Sequence, residues 1–574
     1  MKLAIAQLNP TIGDLTGNTE AILAAAQEAQ QAGAQLLLTP ELSLCGYPPR
    51  DLLLLPDFLA AITDQLEQLC REAPKDVALL VGAPLPNPQA GIEGGKPLFN
   101  GAVLIENGEI RDRFYKQLLP TYDVFDEDRY FQSGQGGWFD LQAEGETLRV
   151  GVSICEDLWN EPEFWGERRY ESDPIAALVA DQIDLLVNLS ASPYCFGKPK
   201  LREALLRHTC RRYQIPLLYA NQVGGNDDLI FDGNSFVLNT AGEVFQKGLH
   251  CQADLLLVDS QKLQAEALPV AIASPSLTES QQDLAELWDV LVLGLQDYSR
   301  KCGFKSIVLG LSGGIDSALV AALAAAAIGS ENVLAILMPS PYSSDHSITD
   351  AIALAENLQI RHETIAIATL MTAFEQSLAD LFTGRSPDVT EENIQSRIRG
   401  TLLMAAANKL GSLLVTTGNK SELAVGYCTL YGDMNGGLAA IADLPKTWVY
   451  QLCHWLNSED AAKVRSLQFP QATLPLIPTS ILTKAPSAEL RPDQVDQDSL
   501  PDYAVLDDIL VRLIEKHQSR KEILAAGHSS EVLEKVLGLV RRAEFKRKQA
   551  APGLKVSDRA FGTGWRMPIA CRWG

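Results

Sequence analysis

Positive charge is scarce in this sequence of 574 residues. It has 48 lysines and arginines against 72 aspartates and glutamates, which gives a formal net charge of −24 at pH 7. A chain this acidic repels the phosphates of nucleic acids and the headgroups of anionic membranes. We therefore expect no nucleic-acid partner and no membrane partner, and any anionic ligand has to bind at a local site. The one dense basic cluster, residues 541–549, is short and indicates a solvated helix face.

Paired cysteines and long apolar runs are also lacking. The ten cysteines are scattered, without a Cys-x-x-Cys pair, so we expect neither a disulfide framework nor a structural zinc site. The apolar runs, such as residues 318–328, are too short to cross a bilayer. The apolar run at the start of the chain is broken by polar residues and a proline, which indicates a β-strand rather than a signal peptide. These absences predict a soluble, cytoplasmic protein.

A glycine loop between a strand and a helix is the feature around which the second half is organised. The apolar run at 307–309 leads to the Ser-Gly-Gly turn at 312–314, and an alanine- and leucine-rich segment continues to Ile328. Glycines let a backbone approach a ligand, and the N–H groups at a helix start attract anions. Asp316 and Ser317 fall on the first turn, where a carboxylate can reach Mg²⁺ and a hydroxyl can reach a phosphate. No lysine follows the glycines, so the loop is not of the GxxxxGK[ST] type.

Short apolar runs alternate with helical segments on both sides of a stretch rich in proline, alanine and serine. We assign residues 1–260 to a first domain, 261–280 to a linker and 281–574 to a second domain. Mixed strands and helices in the first half predict an α/β sandwich, and the turn at 106–109 predicts a hairpin. Strand–helix units in the second half predict a parallel sheet, whose ligands bind beyond the carboxyl ends of its strands.

Three chemically active residues stand at the ends of predicted strands in the first half, namely Glu41, Lys116 and Cys155. Each would be unremarkable alone, as a surface carboxylate, a solvated lysine and a small buried side chain. In this order and with these flanks they resemble the Glu-Lys-Cys triad of the nitrilase superfamily. The resemblance implies an αββα sandwich in which Cys155 is the nucleophile, Glu41 the general base and Lys116 the oxyanion stabiliser.

Other segments of the first half resemble one branch of that superfamily, the glutamine-dependent NAD synthetases. The segments at 40–53 and 116–131 carry this resemblance, and the segment at 188–198 is similar to the part of the family that holds the amino-acid end of glutamine. Cysteine stands at position 195, where the family often has histidine. The glutamine-binding residues that the resemblance implies are Tyr122, Glu156, Ser192 and Lys198.

The pattern Ser-Gly-Gly-x-Asp-Ser at 312–317 resembles the pyrophosphate loop of the ATP-pyrophosphatase superfamily. Those enzymes cleave ATP to AMP and pyrophosphate and activate a carboxyl group as an adenylate, and the resemblance implies a doubly wound, Rossmann-like parallel sheet. Three later stretches, at 392–399, 416–447 and 477–490, resemble the synthetase half of the NAD synthetases. Without the resemblance, the simplest interpretation of each stretch is a polar loop of an α/β domain.

The family resemblance in the second half implies a set of binding residues. The implied ATP-binding residues are Gly310, Leu311, Ser312, Gly313, Gly314, Ile315, Asp316, Ser317, Arg399 and Thr417. The implied deamido-NAD-binding residues are Asn393, Glu422, Asp433, Lys446 and Lys546. The implied ligands of Mg²⁺ are Asp316 and Glu422. Phe545 replaces the tyrosine of the family motif beside Lys546, so a hydroxyl is missing there.

Together these resemblances cover nearly the whole chain and imply a glutamine-dependent NAD synthetase. In that reading Cys155 releases ammonia from L-glutamine, Mg-ATP adenylates deamido-NAD, and the ammonia passes to the adenylate to give NAD. Family members form homo-oligomers, so we expect one here. One alternative is another glutamine amidotransferase with the same ATP loop that acts on a purine nucleotide, which the segments at Asn393, Glu422 and 484–490 disfavour. A second is a nucleotide-sensing protein with inactive halves, which the intact triad and loop disfavour.

Overall fold

The computed structural model describes residues 1–143, 145–264, 279–492 and 494–572. The chain divides into two units, Met1–Pro275 and Ser276–Gly574. Most of the predicted linker, residues 265–278, lies outside the described residues, so the linker and the domain boundaries stay predictions. None of the helices in the described ranges combines the length and the apolar character that a membrane crossing needs.

The first unit is built on two six-stranded sheets that pack face to face. Alternating apolar residues of the strands fill the space between the sheets, where Ile5 and Leu38 meet Val152 and Val187. The strands are β1 Lys2–Gln7, β2 Leu36–Leu38, β3 Ala78–Pro86, β4 Leu98–Glu106, β5 Glu109–Tyr115, β6 Gly137–Ala143, β7 Glu146–Ile154, β8 Leu185–Ser190, β9 Leu217–Asn221, β10 Val223–Asn226, β11 Leu229–Asp232, β12 Phe236–Leu238, β13 Val244–Lys247 and β14 Asp254–Asp259. One sheet has the order β14-β1-β2-β3-β4-β5, the other β13-β12-β9-β8-β7-β6, and β10 pairs with β11.

Helices cover the outer faces of both sheets. The helices of this unit are α1 Leu15–Gln31, α2 Pro56–Glu72, α3 Ala90–Glu93, α4 Pro162–Trp165, α5 Pro174–Ala180 and α6 Lys198–Tyr213. Apolar residues of α1 and α2 pack on the first sheet, and those of α5 and α6 pack on the second. The predicted αββα sandwich is therefore confirmed, as is the hairpin at 106–109, which joins β4 to β5.

The second unit is a parallel sheet with the strand order β17-β16-β15-β18-β19. Its strands are β15 Ile307–Gly310, β16 Val333–Leu337, β17 Arg361–Thr364, β18 Leu413–Thr416 and β19 Leu438–Ala439. The order reverses between β15 and β18, and a reversal of this kind opens a crevice at the carboxyl ends of the strands. The prediction of a doubly wound sheet is confirmed.

Helices follow most strands of this sheet. They are α7 Glu279–Lys301, α8 Ile315–Ile328, α9 Asp345–Leu358, α10 Ala368–Leu378, α11 Val389–Leu410, α12 Lys420–Val425, α13 Lys446–Asn457, α14 Ala462–Gln468, α15 Thr479–Thr483, α16 Tyr503–Leu510, α17 Arg520–Ala525, α18 Ser530–Arg542 and α19 Glu544–Arg547. The stretch at 392–399 lies inside α11, so reading it as a loop was wrong. Its polar residues hide the helix, because the only apolar residues of the stretch are Ile394 and Ile398, which pack with Ile367 and Met371. Further along α11, Leu403 and Ala407 pack on the sheet.

Candidate active sites

The three residues of the predicted triad meet between the sheets of the first unit. Glu41 lies in the turn after β2, Lys116 directly follows β5, and Cys155 directly follows β7. The Lys116 Nζ donates a hydrogen bond to Glu41 Oε1 at 2.7 Å, and the backbone N–H of Ala191, just past β8, donates to Glu41 Oε2 at 3.0 Å. Cys155 belongs to the apolar core between the sheets. Four strand ends therefore build one buried site.

Glu127 is a fourth member of this site, and the sequence analysis gave it no role. Its Oε1 accepts hydrogen bonds from Lys116 Nζ at 2.8 Å and from the Tyr47 hydroxyl at 2.8 Å. The Asn100 Nδ2 donates to both Glu127 and Glu41, at 3.2 and 2.8 Å. The sequence could have pointed to Glu127 as a site residue, because it lies within the segment 116–131 that carries the family resemblance. Its partnership with Lys116 is formed by tertiary structure alone.

Charges in the site are set by burial and by this network. Burial disfavours the Lys116 ammonium, but the Glu127 and Glu41 carboxylates outweigh it and raise the pKa of Lys116 well above its ordinary value. Burial and the Glu41 carboxylate raise the pKa of the Cys155 thiol, against the opposing effect of Lys116. The resting site therefore holds a protonated thiol beside an ammonium ion. Such a thiol reacts only when a neighbouring base removes its proton.

The backbone at Cys155 is strained. Its φ is 43°, in the left-handed region that side chains other than glycine rarely adopt. The residue begins the short 3₁₀-helix Cys155–Leu158 immediately after β7. Such a conformation costs about 1–3 kcal/mol and occurs most often at functional sites, where surrounding contacts hold it. Here it presents the thiol at the end of a rigid strand.

The predicted glutamine-binding residues surround the same strand ends. The Tyr122 hydroxyl donates to Glu156 Oε2 at 3.0 Å, and Ser192 follows Ala191 at the end of β8. Lys198 opens α6, with its Nζ 5.5 Å from the centre of the Trp159 ring. Tyr170 was missed by the sequence analysis; its hydroxyl donates to Glu156 Oε1 at 2.8 Å.

Two phenols therefore hold the Glu156 carboxylate, which is buried next to the nucleophile. Burial raises the pKa of Glu156 above its ordinary value, against the opposing effects of Lys116 and of the hydroxyls of Tyr170 and Tyr122. An ionised carboxylate held in this way is a suitable partner for an ammonium group. The position suits the α-ammonium of an amino-acid substrate whose side chain reaches Cys155.

The second unit has a cavity of about 310 Å³ at the carboxyl ends of β15, β16 and β18. Every predicted ATP-binding residue lines it, as do Glu422, Asp433 and Lys446. The loop between β15 and α8 forms one wall, and its shape is held by serine hydroxyls. The Ser312 N–H and Oγ lie 3.3 and 3.1 Å from Ser317 Oγ, and the Gly314 N–H donates to Ser312 Oγ at 3.2 Å. This arrangement leaves the amino end of α8 open to an anion.

Gly313 is required by the packing of this loop. Its φ is +78°, and a Cβ at this position would lie 2.2 Å from the Ser347 carbonyl oxygen of α9. Only glycine fits such a backbone at such a distance. The close approach of α9 therefore determines where the loop lies along the cavity.

A lysine and two carboxylates meet at the amino end of α8. The Lys446 Nζ donates to Asp316 Oδ2 and lies 3.5 Å from Glu422 Oε1, and the Asn419 Nδ2 donates to Asp316 Oδ1 at 2.9 Å. Burial and the Asp316 carboxylate raise the pKa of Glu422 to about 8, against the opposing charge of Lys446. Two carboxylates that line the cavity beside the loop at 312–317 fit Mg²⁺, which takes one or two carboxylates together with phosphate oxygens.

Two predicted ligand-binding residues support the cavity wall without lining it. Asn393 accepts a hydrogen bond from the Thr429 hydroxyl at 2.9 Å. The Lys546 Nζ donates to the carbonyl oxygens of Gly426 and Cys428 at 2.8 and 2.6 Å. Cys428 itself lines the cavity. In this structure the side chains of Asn393 and Lys546 are engaged by the segment at 426–429.

A polar cluster lies on the loop after α15, within the stretch at 477–490 that carries the family resemblance. The Lys484 Nζ lies 2.6 Å from Glu489 Oε1, which also accepts from the Ser347 hydroxyl at 2.7 Å. All three residues line the cavity. Arg399 faces them from α11, with its Nε donating to the Met338 carbonyl at 3.0 Å. The cavity thus carries three cationic side chains suited to phosphates.

Comparison with known proteins assigns each half to a family. The carbon-nitrogen hydrolase family model matches residues 2–269, and the NAD synthase family model matches residues 287–550. The chain is 56% identical to the glutamine-dependent NAD(+) synthetase of Synechocystis sp. over 99% of this chain and 98% of that protein. It is 40% identical to the enzyme of the same name from Thermotoga maritima over 100% and 99% of the two chains.

A solved structure is similar over the whole length. The glutamine-dependent NAD+ synthetase from Acinetobacter baumannii, in complex with ADP, is 38% identical and superimposes with a TM-score of 0.74. The similarity covers 99% of this chain and 98% of that one. Both halves and their order along the chain are thus shared with these relatives.

Proposed function

The chain belongs to the family of glutamine-dependent NAD(+) synthetases, and on that premise we propose how its own residues make NAD. The family reaction amidates deamido-NAD with nitrogen from glutamine and cleaves ATP to AMP and pyrophosphate. The observation that carries the proposal is the Lys116 ammonium held between Glu41 and Glu127 beside Cys155. Amide hydrolysis requires a base and a cation beside one nucleophile, so this arrangement supports the roles proposed for Glu41, Lys116 and Cys155.

In the first unit, Glu41 accepts the Cys155 proton as Sγ attacks the amide carbonyl carbon of glutamine. The raised pKa of the thiol makes this proton transfer necessary. Lys116 stabilises the oxyanion of the tetrahedral intermediate. Glu41 then returns the proton to the departing nitrogen, which leaves as ammonia, and a thioester remains on Cys155. Water, deprotonated by Glu41, hydrolyses the thioester to glutamate.

Selection of glutamine rests on the residues around Glu156. The carboxylate, held by the hydroxyls of Tyr122 and Tyr170, accepts the α-ammonium of the substrate. Ser192 and Lys198 contact the α-carboxylate, whose charge matches the lysine. A substrate held at both charged groups presents its side-chain amide to the nucleophile in a fixed position.

In the second unit, the loop at 312–317 and the amino end of α8 bind the phosphates of ATP. Arg399 and Thr417 complete the ATP site, and Lys446 and Asp433 contact the reacting end of deamido-NAD. Asp316 and Glu422 would hold Mg²⁺, which when bound would neutralise phosphate charge. The nicotinate carboxylate attacks the α-phosphorus and pyrophosphate leaves. Ammonia from the first unit then attacks the acyl carbon of the adenylate, and AMP leaves.

We also propose that Asn393 and Lys546 contribute to deamido-NAD binding, as the family resemblance implies. Both hold the segment at 426–429, and through it they shape the deamido-NAD side of the cavity. We further propose a homo-oligomer and a cytoplasmic location, as expected from the family resemblance and from the scattered cysteines. The proposed domain boundaries are 1–260 and 281–574.

The test compares nitrogen sources in wild type and Cys155→Ala. NAD formation from deamido-NAD and Mg-ATP is followed with either glutamine or ammonium. We expect the variant to lose the glutamine-driven reaction and to keep the ammonium-driven one. Cys210→Ala is the matched control, because Cys210 is a buried cysteine on α6 with no proposed role. Glutamine-driven NAD formation that survives in Cys155→Ala would refute the proposed nucleophile.

A further inference from the structure

One buried carboxylate, Asp157, forms hydrogen bonds with the backbone beside the nucleophile Cys155 and beside the oxyanion lysine Lys116. It lies in the 3₁₀-helix that Cys155 begins, and its side chain is buried. Its Oδ2 accepts a hydrogen bond from the Ile154 N–H at 3.0 Å. Its Oδ1 accepts from the N–H groups of Gln117 and Leu118, at 3.0 and 2.9 Å.

The three backbone positions involved lie beside the two reacting groups. Ile154 directly precedes Cys155, and Gln117 and Leu118 directly follow Lys116. These segments end strands of different sheets, β7 and β5. The sheets are joined here by side-chain packing rather than by a strand ladder, so their relative position at the site depends on such contacts. Asp157 supplies a direct polar connection between them.

The carboxylate is held by these N–H groups. Burial raises the pKa of Asp157 to about 7, despite the opposing effects of the N–H groups of Leu118 and Ile154, the charge of Lys116 and the N–H of Gln117. A buried carboxylate is costly unless hydrogen bonds satisfy it. The ionised form accepts on both oxygens, whereas a carboxamide accepts on one only.

The same contact supports the strained backbone at the nucleophile. Cys155 has a φ of 43°, and the bond from the Ile154 N–H closes the turn immediately before it. Without that bond the turn can relax towards an ordinary conformation, which moves Sγ. Without the bonds to Gln117 and Leu118, the Lys116 segment loses its connection to the turn.

We propose that Asp157 is a positioning residue of the glutaminase site. Its hydrogen bonds to the backbone beside Cys155 and beside Lys116 keep these two residues at a fixed distance and orientation. This inference rests on the proposed function of those two residues. In this proposal Asp157 does not contact the substrate. Its effect falls on the rate of the chemical step, because displacing reacting atoms by about 1 Å lowers rates by about 10²-fold.

The experiment uses Asp157→Asn and Asp157→Ala in the full chain. Active sites are counted by the amplitude of alkylation with a diazoketone analogue of glutamine, which reacts with Cys155. We expect amplitudes near that of wild type, slower alkylation, and a glutaminase kcat per titrated site that falls in the order wild type, Asn, Ala. The Ala variant is expected to lose about 10²-fold in kcat, with a smaller change in KM for glutamine. Asp157→Asn keeps one of the two accepting oxygens, so its kcat should lie between those of wild type and Asp157→Ala.

The matched control is Asp184→Asn. Its carboxylate also accepts a backbone N–H, that of Arg149 at 2.8 Å, but it lies before β8, at the end of that strand opposite to Ser192. We expect the control to keep its kcat per site, and all variants to keep ammonium-driven NAD formation. A kcat per titrated site equal to that of wild type in Asp157→Ala, with only the amplitude reduced, would mean a general structural role and overturn the inference. Retained glutamine-driven activity in Cys155→Ala would instead overturn the proposed function.

Discussion

The loop at 312–317 tolerates no side chain at Gly313, which makes Gly313→Ala a sensitive probe of the ATP site. An alanine at this φ of +78° costs about 1–2 kcal/mol in backbone strain. Its Cβ would in addition lie 2.2 Å from the Ser347 carbonyl oxygen, where ordinary contacts begin at 3.4 Å. Because both groups are backbone or attached directly to it, the loop and α9 would have to separate by about 1 Å.

A shift of that size moves the anion-binding N–H groups away from the phosphates. A displacement of about 1 Å costs about 10²-fold in rate when it affects reacting groups. We therefore expect Gly313→Ala to lower kcat/KM for ATP by about 10²-fold in ammonium-driven NAD formation. Glutaminase activity should be unchanged, because the triad is built entirely from the first unit. The assay measures both activities on one preparation.

Gly303→Ala separates the two contributions to this effect. Gly303 has a φ of +80° but no heavy atom within 4 Å of the position that a Cβ would take. The control therefore carries the same backbone strain without the collision, and we expect it to keep its ATP kinetics. An ATP kcat/KM within threefold of wild type in Gly313→Ala would refute the reasoning. So would an equal loss in both variants, since strain alone would then explain it.

Two further predictions concern buried charges. Glu127→Ala should destabilise the first unit by about 1–3 kcal/mol, because the buried Lys116, Tyr47 and Asn100 each lose a hydrogen-bond acceptor while Lys116 keeps its ion pair with Glu41. Glu67→Ala, which removes an exposed ion pair, should change stability little. Urea unfolding of the full chain, read by hydrogen exchange in each unit, measures both, and equal midpoints would contradict the expectation. Since the pKa of Glu422 is raised to about 8, the folded chain retains a proton there that the unfolded chain releases above its ordinary pKa of about 4.5. Stability of the ligand-free second unit should therefore fall as pH rises between these values, and Glu422→Gln should flatten that slope; an unchanged slope would count against it.

Local features of the chain were predictable from the sequence. The strand, glycine loop and helix at 307–328 follow from a β-branched run, a turn and a helix-forming segment that are adjacent along the chain. The hairpin at 106–109 is equally local. All the residues predicted to bind ATP line one cavity, and most of them lie in the segments that follow the neighbouring strands β15 and β18. The identity of the triad came from family resemblance, and the convergence of its members fits the strand ends on which they lie.

What only the tertiary structure decided is the pairing of groups that are distant in the sequence. Lys116 donates a hydrogen bond to Glu127, and Tyr170 donates one to Glu156, because separate loops of the first unit meet at the site. The helix across 392–399 was hidden by its polar residues and is revealed by packing on the sheet. Lys546 faces the carbonyls of Gly426 and Cys428, a placement that no local pattern contains. A sequence records which residue types are present in order, whereas hydrogen bonds and buried charges depend on which chain segments the folded core brings within a few ångströms.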